Sequence, residues 1–436
     1  MSNGNSEKTS APKKFLFVSL ESLSGDLAWH IKKEGHEVKC FIQSKDDADV
    51  YDGFLEKCDD WKALKDWADI FVFDDIGFGE EADTLRKEGK VVVGGSVYTD
   101  KLEDDREFGQ SELQSVGVNV LPRWNFDDFD EAINFLNKNP GRYVIKPSGL
   151  AQNEKELLFI GQEEDGKDVL QVLEHYKKNW SKKIKVFQLQ RYAAGVEVAV
   201  GAFFNGNDFI TPINVNFEHK KMFPGEIGPS TGEMGTAMYW SPPNTVFNET
   251  LGKMKEKLAA SGYVGYIDIN CIANNRGIYP LEFTSRFGYP TISIQMEGVA
   301  SPWGEFLYSI GKGQKLELKT NKGFQLGVVV AVPPFPFDDP KTYKRLSEDA
   351  VILFKKHSLE GIHLGDVKLV EGDWRLAGNS GYALVVTGSG STMDDARKQV
   401  YSRVRNIMLP NMFYRTDIGL RWHDDSDRLQ TWGCLH

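Results

Sequence analysis

The stretch 279–290, YPLEFTSRFGYP, holds residue types that could bind a metal and a phosphate. Glu282 follows an apolar pair, as at the end of a strand, and Arg286 stands four positions later in a loop that ends at Gly288 and Pro290. An arginine just past a strand can form two parallel hydrogen bonds to a carboxylate or a phosphate. The simpler interpretation of this stretch alone is a β-hairpin with a charged loop, because short motifs often match by chance.

The segment just upstream, GYIDIN, alternates between side-chain types and predicts a β-strand. Successive strand side chains point to opposite faces, so Asp268 and Asn270 share one face. Carboxylate and amide oxygens on two adjacent strands form the hard-oxygen type of site that suits Mg²⁺ on nucleotide phosphates. The pattern therefore predicts a metal site on this pair of strands.

The segment 217–236, FEHKKMFPGEIGPSTGEMGT, has the composition of a loop over a ligand. It contains four glycines and two prolines among polar side chains. His219, Lys220 and Lys221 supply cations, and Glu226 and Glu233 supply carboxylates. Because long ordered loops tend to be functional, we interpret this one as part of a site.

A third group of candidates lies between these segments and the N-terminus. Lys146 ends a predicted strand, RYVIKPSG, before a loop, which suits a cation that binds polyphosphate. Gln190 and Glu197 flank a short connector between two predicted strands, where backbone groups could bind adenine and the glutamate could hold ribose. Taken singly, the alternatives are a snorkelling lysine at a sheet edge and a solvated carboxylate.

The composition of the whole chain narrows the class of protein. With 436 residues and 41% hydrophobic residues, the chain can form two or three globular domains. Its net charge of −11 argues against bulk nucleic-acid binding, although a small phosphorylated ligand could occupy a local basic pocket. Four scattered cysteines indicate a reduced, cytoplasmic protein. No apolar run reaches the roughly 18 residues of a membrane span, and the polar first residues lack a signal peptide.

The predicted elements place these candidates on a recognisable scaffold. The apolar runs KFLFVSL, HEVKCFI, ADIFVFDD and KVVVGG alternate with helical segments, which predicts a doubly wound parallel sheet up to about Pro122. Its first turn, SLESLSGD, has one glycine beside Glu21 and Asp26 and lacks the glycine-rich phosphate fingerprint. Strands dominate again after about Phe324, followed by a helix and an acidic tail.

Several motifs resemble the phosphoribosylamine–glycine ligase family of ATP-grasp enzymes. GPSTGEMGT at 228–236 is similar to the family's GPNTGGMG loop, EHKK at 218–221 to its DHKR, and LEFTSRFGYP at 281–290 to its LEFNxRFGDP. VIKPSGLA at 144–151 resembles VVKADGLA. YALVVTGSGST, a helix and YRTDIG at 414–419 resemble the family's C-terminal domain. The matches follow the family's order across nearly the whole chain.

The resemblance implies an α/β ATP-grasp fold with an N-terminal doubly wound domain (14–121), a two-lobed ATP-grasp domain (122–323) and a β-rich domain (324–420). The polar composition of the two ends predicts a disordered leader (1–13) and a tail (421–436). It also implies a reaction. ATP phosphorylates a carboxylate, and an amine then attacks the acyl phosphate to give an amide. The implied cofactors are ATP and Mg²⁺, with Mn²⁺ as an alternative. The partners are small molecules, an amino acid and a phosphorylated or sugar amine, and the protein is expected to be a monomer or homodimer without membrane contact.

The resemblance assigns site residues by position. It implies catalytic roles for Arg286, Lys220 and Glu226. It implies ATP contacts for Arg106, Lys146, Lys155, Gln190, Arg191, Tyr192, Glu197 and His219. It implies metal binding by Glu282 with Asn270 or Asp268, and by Thr284. It implies substrate contacts for Ser230, Thr231, Gly232, Glu233, Arg286 and Gly288.

The chain departs from the family pattern at defined places. SLESLSGD stands where the family has its phosphate-holding GxGGREHA, and the remaining departures are Thr284, Tyr289-Pro290-Thr291 and Asn153-Glu154-Lys155. They indicate kept ATP chemistry and a rebuilt amine site. The nominal reaction therefore has two alternatives: ligation to a different nucleotide or sugar amine, and an inactive nucleotide-binding scaffold. An ATP-grasp carboxylase lacks support, since nothing in the sequence indicates a biotin or bicarbonate site.

Overall fold

The N-terminal part of the chain forms a parallel sheet flanked by helices. The computed structural model describes residues 11–148 and 157–436. Its first elements are β1 (Lys14–Ser19), α1 (Gly25–Lys33), β2 (Glu37–Ile42), β3 (Glu56–Lys57), β4 (Ile70–Phe73), α2 (Gly79–Lys87), β5 (Val91–Val93), α3 (Val97–Asp104) and α4 (Arg106–Ser115). All five strands are parallel, in the order β3-β2-β1-β4-β5. This confirms the predicted doubly wound arrangement, whose direction of winding reverses between β1 and β4.

A small lobe follows, with its own antiparallel sheet and its own core. Its elements are β6 (Arg123–Phe126), α5 (Phe129–Lys138), β7 (Tyr143–Ser148), β8 (Phe159–Ile160), α6 (Lys167–Asn179) and β9 (Val186–Arg191). The strands pair in the order β6-β9-β7-β8. Inward-facing side chains such as Tyr143, Leu173 and Phe187 form a hydrophobic cluster separate from the main core. The lobe therefore has the packing of an independent unit.

The rest of the chain forms a large sheet, a smaller four-stranded sheet, a two-stranded hairpin and several helices. The elements up to 331 are β10 (Val196–Asn205), β11 (Phe209–Glu218), β12 (Lys221–Phe223), β13 (Ile227–Ser230), β14 (Gly235–Ser241), α7 (Thr245–Glu249), α8 (Lys255–Ala260), β15 (Val264–Asn274), β16 (Gly277–Thr284), α9 (Thr291–Gly298), α10 (Trp303–Gly311) and β17 (Phe324–Ala331). The later elements are α11 (Pro340–Leu346), β18 (Val351–Phe354), β19 (Ile362–Leu364), β20 (Val367–Val370), β21 (Asp373–Leu376), β22 (Tyr382–Gly390), α12 (Met393–Val404), β23 (Ile407–Met408) and α13 (Trp422–Thr431). The large sheet has eight strands in the order β16-β15-β10-β11-β14-β17-β22-β19.

The large sheet crosses the domain boundary expected at 324. Gly235 in β14 pairs with Val328 in β17, and β17 pairs in turn with β22. The β-rich C-terminal segment therefore extends the sheet of the preceding lobe, and it also forms a second sheet of order β20-β21-β18-β23. The segment 217–236, predicted as a loop, contains the short hairpin β12–β13.

The segment after residue 420 is a folded helix, which corrects its interpretation as a tail. Leu429 is fully buried and Cys434 is 3% exposed. The backbone N–H of Thr245 donates to the carbonyl of His436 at 2.9 Å. Burial of these side chains offsets the entropy of ordering the segment, despite its acidic composition. Within 11–148 and 157–436, no helix is both long and apolar enough to cross a membrane.

Candidate active site

Lys220, just past the end of β11, lies among three carboxylates. Its Nζ is 3.0 Å from Glu282 Oε1, 3.0 Å from Glu197 Oε1 and 3.4 Å from Glu218 Oε2. Against the effect of burial, these three charges raise the pKa of Lys220. Lys220 is therefore held as an ammonium that connects β10, β11 and β16 at one end of the large sheet.

Strand pairing explains why these side chains meet. Asn270 of β15 pairs with Glu282 of β16 on one side and with Ala199 of β10 on the other. Glu197 is two residues from Ala199, so its side chain projects from the same face of the sheet. The alternation recognised in the sequence thus places a carboxylate or an amide on each of these adjacent strands.

Two cations from other parts of the chain face this carboxylate cluster. Lys146, on β7 of the small lobe, is 7% exposed. Burial and the charge of Arg106 lower the pKa of Lys146 to about 7. Arg106, the first residue of α4, donates from Nη1 to the carbonyl of Pro147 at 3.0 Å. The charges of Lys220, Arg106 and Lys146 together hold the pKa of Glu282 well below its usual range, against the effect of burial. The three cations can neutralise the charge of a polyphosphate, and the carboxylates can neutralise the charge of its metal ion.

Several oxygen atoms around Lys220 could serve as ligands to a magnesium ion. Asn270 is 3% exposed, and its Nδ2 donates to Glu218 Oε2 at 2.9 Å. Its Oδ1 is buried without a hydrogen-bond partner, which suits a metal ligand. Glu218, Glu282 and Asn270 therefore offer hard oxygen donors, the type that Mg²⁺ prefers. Among the described residues, no group of three or more histidine, cysteine, aspartate and glutamate side chains forms a ready-made metal centre.

Asp268 and Thr284 are the other two predicted metal ligands. They lie two residues from Asn270 on β15 and from Glu282 on β16. They pair with each other across β15 and β16. Burial, followed by the charges of Glu218 and Glu103, raises the pKa of Asp268 well above its ordinary value. Of Asp268 and Asn270, the two candidates for the metal ligand beside Glu282, Asn270 is the one that contacts Glu218 and pairs with Glu282.

The predicted adenine connector is largely engaged with the small lobe. The guanidinium of Arg191 lies 4.4 Å from the centre of the Tyr143 ring, and that of Arg142 lies 3.5 Å from the centre of the Tyr192 ring. The backbone N–H groups of Arg191 and Tyr192 donate to protein carbonyls at 2.9 and 3.1 Å. Gln190 is 1% exposed and its Nε2 has no partner, so it retains hydrogen-bonding capacity. Lys155, the other predicted phosphate contact, lies outside the described residues.

His219 and Glu226 connect the 217–236 segment to the C-terminal segment and do not contact Lys220. His219 Nδ1 is 2.9 Å from Glu226 Oε1, and its Nε2 accepts a hydrogen bond from the Gly419 N–H at 3.2 Å. The buried Arg415 lies 2.6 Å from Glu226 Oε1 and 2.7 Å from Asp417 Oδ2. Against the effect of burial, hydrogen bonds from His219 and Arg415 lower the pKa of Glu226 to about 2. The roles predicted for these two residues in ATP binding and catalysis gain no support from this geometry, because protein groups occupy both.

The predicted substrate residues 230–233 divide between structural contacts and an open carboxylate. Ser230 Oγ accepts from Lys221 Nζ at 3.0 Å, and Thr231 donates to the carbonyl of Lys220 from its backbone N–H at 2.8 Å and its hydroxyl at 2.9 Å. Gly232 is exposed. Glu233 is 7% exposed, and its Oε1 has no hydrogen-bond partner. Glu233 is therefore the side chain of this group whose hydrogen-bonding capacity is not fully used by the protein.

Arg286 contacts carboxylates of the N-terminal unit. Its Nε lies 3.1 Å from Asp75 Oδ1 and 3.2 Å from Glu103 Oε1. Against the effect of burial, these two charges raise the pKa of Arg286 further. A substrate bound by this arginine would share it with Asp75 and Glu103. The glycine at position 288 is explained by local packing, because a Cβ there would lie 2.8 Å from the Thr291 side chain.

Sequence reasoning missed Glu218, which contacts both Lys220 and Asn270. A signal was present, because Asn214, Asn216 and Glu218 place polar side chains at alternate positions of NVNFE. It also missed the acidic partners of Arg286, for which the sequence offered no local signal.

Two family models match the chain. One, described as phosphoribosylglycinamide synthetase, ATP-grasp (A) domain, matches residues 104–292. The other, described as the C domain of the same synthetase, matches residues 325–421. Together they span more than half of the chain and include Lys146, Lys220, Asn270 and Glu282.

Related proteins give a consistent result. The phosphoribosylamine–glycine ligase of Listeria innocua is 26% identical over 353 residues, which cover 78% of this chain and 80% of that protein. The enzyme of the same name from Streptococcus pneumoniae is 27% identical over 346 residues, covering 77% of this chain and 80% of that protein.

Solved structures share the fold. The phosphoribosylamine–glycine ligase of Thermotoga maritima superposes with a TM-score of 0.69 at 21% identity, covering 93% of this chain and all of that one. The biotin carboxylase of Campylobacter jejuni superposes with a TM-score of 0.64 at 12% identity, covering 97% of each chain. At such identities the likeness shows the ATP-grasp fold, which confirms the predicted fold class.

Proposed function

Since the chain belongs to the phosphoribosylglycinamide synthetase family of ATP-grasp ligases, which use ATP to form carbon–nitrogen bonds, we propose that it joins a carboxylate to an amine through an acyl phosphate. The nominal reaction is the one for which its relatives are named, the ligation of glycine to phosphoribosylamine. The products are then glycinamide ribonucleotide, ADP and phosphate.

The proposed reaction has two steps. A carboxylate oxygen of the amino acid attacks the γ-phosphorus of ATP, and the bond to the oxygen that bridges the β- and γ-phosphates breaks as ADP leaves. The amine nitrogen then attacks the acyl carbon, forms the C–N bond and expels phosphate as the C–O bond breaks. A protein carboxylate takes the proton lost by the nitrogen.

The arrangement around Lys220 supports this chemistry. We propose that Lys146 and Arg106, held on the small lobe and α4, neutralise the phosphates. Lys146 has a pKa lowered to about 7 by burial, so an incoming polyphosphate would favour its charged form. Glu197 is proposed to hold the ribose, and Gln190 the adenine through its unpaired amide.

Magnesium fits the oxygen donors described above. Glu282, Glu218 and the unpartnered Oδ1 of Asn270 would hold it, with Mn²⁺ as an alternative. When bound, the ion supplies charge neutralisation on the transferred phosphoryl group. Lys220 would then balance the carboxylate charge that the ion leaves unneutralised. We interpret its contacts with three carboxylates in this way.

The single observation that supports the proposal best is the convergence of Lys220, Lys146 and Arg106 on Glu282. An inactive scaffold would not need three cations around one carboxylate, because removing charges from water costs desolvation energy. The test is hydroxylamine trapping. With Mg²⁺-ATP and glycine, the acyl phosphate should be captured as a hydroxamate, with an equal amount of ADP. Absence of both products for every amino acid tested would refute the ligase proposal and favour the scaffold.

A second candidate function differs only in the amine. It is favoured by the turn between β1 and α1, where side chains of the protein accept the backbone hydrogen bonds that a phosphate would use. We further propose a cytoplasmic setting, since the four cysteines are all unpaired. The oligomeric state, monomer or homodimer, stays a prediction.

A further inference from the structure

A row of polar side chains crosses the small lobe beside Lys146. On the adjacent strands β6, β9 and β7, Asn125 lies opposite Gln188, and Gln188 lies opposite Lys146. We call these three residues the polar row. Directly opposed side chains project from the same face of a sheet, with Cβ atoms about 4.5–5.5 Å apart. Phe187 and Leu189 point to the other face, into the core of the lobe. Gln188 is therefore an uncharged neighbour of Lys146 on the face away from that core.

Glu107 determines how the amides of the polar row are oriented. This residue, the second of α4, accepts a hydrogen bond from Asn125 Nδ2 at 2.9 Å. An ionised carboxylate only accepts, so Asn125 must present its nitrogen to Glu107 and its oxygen to the next residue of the row. That oxygen accepts from Gln188 Nε2 at 3.1 Å. Each amide therefore donates towards α4, and the carbonyl oxygen of Gln188 is left over.

The left-over oxygen of Gln188 is buried. Gln188 is 1% exposed, and within the described part of the chain its Oε1 has no hydrogen-bond partner. Its Nε2 is directed to Asn125 on β6, so Oε1 is directed away from β6, towards the side where β7 carries Lys146. An unsatisfied buried acceptor lowers the stability of a protein. An acceptor kept in this position therefore indicates a donor that can reach it, and the ammonium of Lys146 is on the neighbouring strand.

Contacts from α4 hold the polar row at both ends. The Nε and Nη2 of Arg123 each lie 3.1 Å from an oxygen of Glu107, and the side chain of Arg123 is 11% exposed. Arg106, which precedes Glu107, donates to the carbonyl of Pro147 at 3.0 Å. Pro147 directly follows Lys146 in β7. The first two residues of α4 therefore fix the row on the side of β6 and on the side of β7.

We propose that Gln188 is a positioning residue for the ligation, whose carbonyl oxygen accepts a hydrogen bond from the Lys146 ammonium while that ammonium also binds the phosphates of ATP. An ammonium has three donors, so it can bind both at once. The inference rests on the proposed function, in which Lys146 contacts ATP. Burial and the charge of Arg106 lower the pKa of Lys146 to about 7, so an acceptor beside it favours the charged form that phosphate requires.

The position of the small lobe enters this arrangement through Glu107. Glu107 belongs to α4, whereas all three residues of the polar row belong to the small lobe. When the lobe moves away from α4, the bond between Glu107 and Asn125 breaks, and the amides of Asn125 and Gln188 can turn. The acceptor is therefore presented to Lys146 only while the lobe lies against α4.

A double-mutant cycle on nucleotide binding tests the inference in the full-length protein. The readout is the calorimetric Kd of a non-hydrolysable ATP analogue with Mg²⁺, which requires no turnover. Gln188→Leu should raise this Kd about tenfold, because one charge-assisted hydrogen bond is lost. In a Lys146→Met background the same substitution should change the Kd by less than about twofold, since the donor is already absent. A tenfold effect in both backgrounds would overturn the inference, because Gln188 would then act without Lys146.

A second variant keeps the test valid if Gln188→Leu does not fold. Asn125 is exposed, so Asn125→Leu should fold, and it releases the amide of Gln188. The Kd should then rise about threefold, the effect of losing one neutral hydrogen bond. Gln171→Leu, which replaces an exposed glutamine on α6 of the same lobe, is the matched control and should leave the Kd unchanged. Equal Kd values for these two variants would contradict the role of the polar row.

Failure of the inference and failure of the proposed function give different results. If Lys146→Met binds the analogue as the wild type does, the phosphate contact proposed for Lys146 is wrong, and the inference falls with it. If Lys146→Met weakens binding while Gln188→Leu and Asn125→Leu do not, the inference is overturned and the proposed function stands. In turnover, Gln188→Leu should raise the KM for ATP and leave the KM for the amino acid unchanged, a split that a general loss of structure would not give.

Discussion

Replacing Lys220 by methionine should destabilise the protein because it leaves three carboxylates facing one another. The side chains of Lys220, Glu197 and Glu218 are 29%, 30% and 13% exposed, so the group is only partly screened by solvent. Breaking a buried ion pair costs about 3–5 kcal/mol. Glu282 is 48% exposed and contributes less. We therefore expect a loss of about 2–3 kcal/mol of unfolding free energy.

The same substitution should make stability depend on a divalent cation. Without the ammonium, the oxygens of Glu282, Glu218 and Asn270 remain as a hard-oxygen site. Magnesium would bind the folded variant more strongly than the unfolded chain and so restore part of the loss. In Lys220→Met, excess MgCl₂ should raise the urea midpoint by more than it does in the wild type.

The assay is urea unfolding followed by tryptophan fluorescence, with and without MgCl₂. Lys177→Met is the control, since it removes an exposed ion pair with Asp130 and should not shift the midpoint. The pKa of Glu282 is depressed in the folded protein, so its pairing stabilises above its ordinary value of 4.5 and is lost as pH falls. The difference in urea midpoint between Lys220→Met and the wild type should therefore become smaller below pH 4.5. Coincident midpoints for the two lysine variants at pH 7 without MgCl₂ would refute this reasoning.

Three further predictions concern catalysis, the C-terminal link and the first turn. Glu282→Gln should lower Mg²⁺-dependent hydroxamate formation by orders of magnitude while circular dichroism stays unchanged; activity within a few-fold of the wild type would contradict the metal assignment. Arg415→Met should cost about 2 kcal/mol in urea unfolding, less than a fully buried pair because Glu226 is 40% exposed. Since the pKa of Glu226 is lowered to about 2, this cost should be present above 4.5 and disappear as pH falls toward 2. Gly25→Ala should lower the melting temperature, because the new Cβ would overlap the Tyr51 ring, and an unchanged value would show that the ring can move aside.

The sequence allowed the central part of the site to be predicted because its geometry is local. Strand alternation put Asp268 and Asn270 on one face, and the pairing of β15 with β16 brought Glu282 next to Asn270. Family motifs then supplied Lys146 and Lys220, which strand periodicity alone would not have distinguished from surface lysines.

The partners of Arg286 and His219 could not be predicted because they come from distant parts of the chain. Arg286 contacts Asp75 and Glu103 of the N-terminal unit, and His219 contacts Gly419. No periodicity or motif records which element packs against which side chain. The helix at 422–431 was missed for a related reason, since its many acids concealed the few apolar residues that pack against the sheet.

The continuous eight-stranded sheet determines where this chain can be divided. A cut near 324 would separate β17 from β14 and expose an unpaired edge in each fragment, which favours aggregation. The small lobe is different, because the chain enters and leaves it side by side, with the Arg191 N–H donating to the Pro122 carbonyl at 2.9 Å. Chimeras between relatives should therefore be joined at these two neighbouring points, which would exchange the small lobe while the eight-stranded sheet is inherited intact.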